Sequence, residues 1–175
     1  MTFEEFTPLA IRTESKNRPL SLEVIDLGLT DRILHGFMGL HTEMDEFNLA
    51  VKNKDRINML EELGDALWYL AILKDELDFD TTIFKKSLEF NTEGLDLCKK
   101  TMFYGKELDI NKIKTISSSL YNSVMVNINN LDGDARMVME TIIAKLKARY
   151  GDKFSNERAD KRDLKAERSI LEEGM

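Results

Sequence analysis

Within residues 41–70, HTEMDEFNLAVKNKDRINMLEELGDALWYL, four acidic residues repeat one interval. Glu43 and Glu46 stand three apart, and Glu62 and Asp65 do the same. Three residues on a helix turn through about 300°, so each pair projects side by side, roughly 5–6 Å apart at Cβ. Two such pairs facing each other across antiparallel helices would gather four carboxylates into one pocket. Two carboxylates about 5 Å apart repel by roughly 3 kcal/mol at an effective dielectric near 20. The cluster must therefore be protonated, solvated or shared by a cation. An all-oxygen donor set favours a hard ion, Mg²⁺ or Mn²⁺, over zinc. Neither pair is followed by a histidine at the Glu-x-x-His spacing of di-iron bundles. A carboxylate-only site leaves positions for water and substrate phosphates, which is the chemistry of phosphoryl substrates. The plain alternative is a solvated helix face, common for E-x-x-E in a chain with 33% charged residues. Against it, the second pair runs directly into the apolar stretch ALWYLAIL.

The elements that must position these acids are helices. Thr30 or Asp31 can N-cap a helix running to about Lys52, whose apolar residues Ile33, Phe37, Leu40, Met44, Phe47 and Val51 step by four and three. NKD, residues 53–55, is a turn, and a second helix runs from about 56 to 77. Residues 66–73 are apolar on every side, as in a helix covered all round. Gly36 and Gly39 sit within the first helix, where they allow close helix packing. Further helices are expected over about 81–104, 109–130 and 134–149, with DGD at 132–134 as a break. The only prolines are Pro8 and Pro19, so residues 1–28 read as an irregular or partly helical lead-in. A helical domain over 29–150 follows, and residues 151–175 form a charged tail with helical spacing over 155–173. The class is all-α, a helical bundle.

Composition narrows the function. A hydrophobic content of 42% supports a soluble globular chain with an ordinary core. No apolar run reaches the roughly 18–20 residues needed to span a bilayer, so no membrane partner is expected. The acidic start MTFEEF lacks the basic region of a secretory signal. Cys98 stands alone, which excludes an internal disulfide and suits a reducing cytoplasm. A net charge of −7 argues against a nucleic-acid polymer as partner, but not against a nucleotide whose charge a cation offsets.

A faint repeat runs through the middle of the chain. HTEMDEF…LDFD, ending at Asp80, lies over NTEGLDL…LDGD, ending at Asp134. Glu43 then matches Glu93 and Glu46 matches Asp96, while Glu62 falls on Ile116 and Asp65 on Ser119. Copy one, about 31–80, would hold the metal motif. Copy two, about 91–134, would be degenerate, and a helix over 135–150 closes the domain. The chain would then be a fused pseudo-dimer with one site.

E43-M-D-E46 followed by E61-E62-L-G-D65-A-L-W-Y-L resembles the signature of the MazG-like all-α nucleoside triphosphate pyrophosphohydrolases, whose superfamily includes all-α dUTPases and dCTP pyrophosphatases. FYGKELD (103–109) and KLKARYGDKFSNERADKRDLKAERSILE (145–172) are similar to segments of shorter phage and bacterial relatives. The likeness covers most of residues 33–172. In those relatives FYGKELD precedes the EELGD helix, whereas here it follows, inside copy two. The resemblance implies a helical bundle, a dimer or higher homo-oligomer, and Mg²⁺ held by Glu43, Glu46, Glu62 and Asp65. It also implies a nucleotide substrate cleaved to nucleoside monophosphate and pyrophosphate. Glu61 would orient water or substitute as a ligand. A catalytically silent nucleotide- or alarmone-binding protein on the same fold is the alternative.

Other side chains are candidates for substrate contact. Lys145 and Arg149, four apart on one helix, can clamp a phosphate chain; otherwise they form an exposed basic stripe. Lys52 and Lys54, in and beside the turn between the acidic helices, can meet outer phosphates. Trp68 or Tyr69 can stack on a base, although a core role suits Trp68 as well. His41, two residues before Glu43, can touch the nucleoside. His35 reads as structural or exposed.

Overall fold

In the computed structural model, residues 1–83, 92–151, 153–155, 157–158 and 163–175 are described. The described elements are all helical: α1 (Phe3–Ala10), a 3-10 turn (Ile11–Thr13), α2 (Leu22–Asp26), α3 (Asp31–Asn53), α4 (Arg56–Leu77), α5 (Glu93–Tyr104), α6 (Ile110–Asn130), α7 (Ala135–Tyr150) and α8 (Leu164–Gly174). They form a helical bundle, and no described helix is long and apolar enough to cross a membrane.

Short polar side chains start most of these helices by satisfying open backbone N–H groups. Thr30 accepts from the Ile33 amide, Asp55 from Asn58, Asp109 from Lys112, Asp134 from Arg136 and Asp163 from Ala166. The NKD turn works at both ends. Lys54 adopts the left-handed conformation that stops α3 (φ 57°), and Asp55 caps α4. The helix expected over about 81–104 begins only at Glu93; residues 81–83 are not helical, and 84–91 lie outside the described residues.

α4 is the axis of the bundle. Leu60, Leu63, Leu67, Leu70, Ala71, Ile72 and Leu73 are all at most 1% exposed, because α1, α3, α6 and α7 pack around them. Each such leucine contributes about 1.5–3 kcal/mol relative to exposure. The N-terminal segment belongs to this core: Phe3, Phe6 and Ala10 step by three and four along α1 and are buried on it. Two glycines set how closely neighbours approach α4. A Cβ on Gly39 would lie 2.0 Å from a Tyr69 ring carbon, and one on Gly64 would lie 2.4 Å from Ile142 Cγ1. α3 and α7 therefore press against α4 on either side of Asp65.

Candidate functional site

The tight turn fixes which residues of α3 and α4 face each other. Gly39 and Tyr69, in contact, are each fifteen positions from Lys54. Glu43 and Asp65 are each eleven positions away, and Glu46 and Glu62 each eight. Moving from the Gly39–Tyr69 contact toward the turn, the hairpin thus brings the two acid pairs opposite one another. Oxygen atoms of Glu43, Glu62 and Asp65 lie within 4.8 Å of one another. Glu46 lines the same cleft without joining that tightest group.

Burial makes this cluster electrostatically costly. Desolvation first, then Asp65, Glu62 and Glu46, push the Glu43 carboxyl up to about 9, so it keeps its proton at neutral pH. Glu62, hydrogen-bonded to Glu43, is pushed up to about 7 by burial, then by Asp65, Glu61 and Glu46. The same burial, then Glu43 and Asp65, hold the Tyr69 phenol far above its ordinary value.

One cation is built in. Lys145 of α7 is 1% exposed, and its Nζ donates to Glu61 Oε1 at 3.0 Å and Asp65 Oδ2 at 2.5 Å. Burial opposes its charge, yet Asp65 and Glu61 outweigh that and raise its pKa. Of the five carboxyl groups in the cleft (Glu43, Glu46, Glu61, Glu62 and Asp65), this ammonium bonds two, Glu61 and Asp65. Carboxyls outnumber cations around it, which is the setting for a hard divalent ion.

The acids form one end of a cleft of about 630 Å³, a size suited to a small ligand. Its opposite wall comes from α7 and α8. Arg149, one turn beyond Lys145, makes a two-pronged ion pair with Glu167 of α8, its Nε 2.9 Å from Oε1 and Nη2 bonded to Oε2. Burial works against the guanidinium charge, but Glu167 and Tyr150 outweigh it and raise the pKa. Tyr150 and Phe154, with ring centroids 5.4 Å apart, lie beside this pair in the lining.

The other sequence candidates fall in different places. Lys145 is not part of an exposed stripe, because α7 lies against α4 at Gly64 and carries the ammonium into the acids. Glu61 accepts from that lysine and stands outside the tight group. Lys52 and Lys54 are exposed at the hairpin turn and do not line the cleft. His41 lies 45% exposed on another face of α3, 4.0 Å from Asp45. Trp68 lines the cleft, but its indole N–H donates to the Ala10 carbonyl (2.8 Å) and Thr13 Oγ1 (3.1 Å), which ties the N-terminal segment to the site. The residues passed over are His35 and Glu167, both in the lining. His35 was within reach of the spacing, since 35, 39, 43 and 46 step by four, four and three along one face of α3. Glu167 carried no such signal.

No family model matches the chain, and neither a curated protein nor a solved structure matches it.

Proposed function

We propose that this cleft is the active site of a divalent-cation-dependent pyrophosphohydrolase of nucleoside triphosphates, of the MazG-like kind that the acidic motif resembles. The observation that carries the reading is the mutual approach of Glu43, Glu62 and Asp65 within 4.8 Å, in a partly buried setting where Lys145 is bonded to Asp65 of the three. These residues fit Mg²⁺ or Mn²⁺: every donor is a carboxylate oxygen, Glu46 is the fourth at hand, and the local charge is strongly negative. A bound divalent ion would neutralise substrate phosphates and make water easier to deprotonate.

The chain's own residues would divide the remaining work. Lys145 fixes Asp65 and Glu61 from behind. Arg149 offers a planar fork across the cleft, suited to phosphate oxygens once it parts from Glu167. Trp68, Tyr69, Tyr150 and Phe154 give the cleft an aromatic lining. Water adds to one phosphorus of the α–β bridge, that phosphorus loses its bond to the bridging oxygen so that monophosphate and pyrophosphate part, and the proton passes to a cleft carboxylate. The likeness that suggests this reaction also suggests a dimer.

The test is a panel of standard and modified nucleoside triphosphates, incubated with the full chain and Mg²⁺ and assayed for pyrophosphate and monophosphate. Metal-dependent release of both products is expected. Saturable binding with no product would favour the second reading, a silent nucleotide- or alarmone-binding protein. One feature speaks for that reading: Lys145 at the acids and the lining arginines Arg149 and Arg168 already have carboxylate partners.

A further inference from the structure

Beyond the acidic end, one polar side chain of the cleft is held in place while its hydrogen-bonding edge stays uncommitted. His35 lines the cleft two helical turns from Glu43, about 12 Å along α3 at 1.5 Å per residue. Its ring stands edge-on to Trp68, centroids 5.8 Å apart at 78°, and to Tyr69, 5.4 Å apart at 85°. Trp68 and Tyr69 are themselves perpendicular, 4.8 Å apart. The indole is anchored through its N–H to Ala10 and Thr13, and the phenol is wedged against Gly39. Two fixed rings therefore clamp the imidazole by its faces and edges without using its nitrogens. Among the described residues, no hydrogen bond engages those nitrogens. No described polar side-chain atom is both buried and unpartnered, so they reach solvent, at a position where His35 lines both this cleft and a smaller pocket beside Arg18 and Met38.

We propose that His35 selects the organic part of the substrate by hydrogen-bonding to the polar edge of a nucleobase. The inference rests on the nucleotide reading of the same site. The charged groups facing His35 divide, Glu14 favouring its protonation and Arg18 and Arg32 opposing it, while burial, the largest influence, lowers its pKa. The ring is accordingly neutral at neutral pH, with one N–H donor and one acceptor nitrogen. Either nitrogen can meet one polar atom on a base's edge, the N–H an acceptor or the bare nitrogen a donor. A ligand with its phosphates at the acids and its base at His35 uses both ends of the cleft.

The experiment compares wild type, His35→Phe and His35→Gln as full chains with Mg²⁺. The probes are four nucleoside triphosphates differing only in base, with inorganic tripolyphosphate as the probe lacking a base. Turnover is measured for every probe and binding by calorimetry. Wild type is expected to discriminate between best and worst base. His35→Phe should cut that ratio about tenfold, the worth of one or two hydrogen bonds, through KM with kcat little changed. His35→Gln, which keeps a neutral donor and acceptor, should retain more of the ratio, and tripolyphosphate binding should be unchanged in both. An unchanged ratio in a folded His35→Phe, no discrimination by wild type, or equal loss on tripolyphosphate would each overturn the inference alone. If wild type neither binds nor turns over any probe, the nucleotide reading itself falls, and this inference with it.

Discussion

On α3, Glu43 and Glu46 stand three residues apart and face a second acidic pair; on α5, Glu93 and Asp96 keep the same interval on an exposed face. Glu43 of the first pair is partly buried against Glu62 and Asp65, with the carboxyls of Glu43 and Glu62 pushed up to about 9 and about 7, while Glu46 is exposed at the same cleft. Around the second group, Lys99 and Lys100 bond Asp96 at 2.8 and 2.6 Å and hold it down at about 2, and Lys112 bonds Glu93 at 2.5 Å. The partner helices differ as well. α3 and α4 pair position for position from their turn, while the Lys112–Glu93 bond ties the first turn of α6 to the first turn of α5. In an antiparallel hairpin the first turn of one helix meets the last turn of the other. Ile116, where Glu62 would repeat, is a core residue. The same acidic interval thus sits in two settings, on α3 opposite a second acidic pair and on α5 among three surface lysines. We read the second segment as packing surface without a site of its own.

The largest expected contrast is catalytic. Glu62→Gln and Asp65→Asn should each lower pyrophosphate release by at least about a hundredfold, and metal-free Glu62→Gln should melt no lower than wild type, since a repelling charge is gone. The double variant Glu93→Gln/Asp96→Asn should keep most activity. If the α5 double variant lost activity, or Glu62→Gln kept it at limiting Mg²⁺, the contrast between the two regions would collapse. Calorimetry with a non-hydrolysable nucleotide should give one ligand per chain; two would restore a second site.

Much of the first region was legible in the sequence. The all-round apolar run at 66–73 marked α4 as central, and NKD placed the turn to within a residue. Once the turn is known, the facing of the two acid pairs follows from counting. The rest depended on contacts between distant segments. Lys145 reaches the acids because Gly64 lets α7 close on α4, and neither residue announces that alone. Arg149 meets Glu167 only because α8 packs back against α7 at the cleft. α1 was obscured by its proline: Pro8 lies within the helix, yet Thr2 and Glu5 cap its start reciprocally and Phe3 and Phe6 anchor it. His41 drew notice as the histidine nearest Glu43, whereas the helical period favoured His35.

A second contrast concerns stability. Lys145→Met removes a buried ammonium and leaves Asp65 and Glu61 without their partner, which should cost about 3–5 kcal/mol in urea unfolding. Lys112→Met removes an exposed partner of Glu93 and should leave the unfolding curve unchanged. Saturating Mg²⁺ should recover part of the Lys145→Met loss, because a cation can take over the neutralisation. Equal effects of the two substitutions would mean that Lys145 is no more enclosed than a surface lysine.

The smallest and most diagnostic contrast is the response to pH. Glu43 and Glu62 bind protons more tightly in the folded chain than their ordinary 4.5, so between pH 4.5 and about 9 the native state holds more protons than the unfolded one. Stability from these groups is complete below that window and is lost as pH rises through it. Asp96 behaves oppositely. Its folded value near 2 lies below the ordinary 3.8, so its contribution is present above 3.8 and is lost as pH falls toward 2. The metal-free melting temperature should therefore decline by several degrees from pH 5 to 9, with water entry and side-chain rotation relieving part of the repulsion. Glu43→Gln should flatten that alkaline decline, and Asp96→Asn should leave it intact. Saturating Mg²⁺ should also flatten it, since a bound cation competes with the proton for the same oxygens. A decline that persists unchanged in Glu43→Gln would place its origin elsewhere in the chain. One that Mg²⁺ leaves untouched would mean that the acids on α3 and α4, for all their burial, do not take the ion.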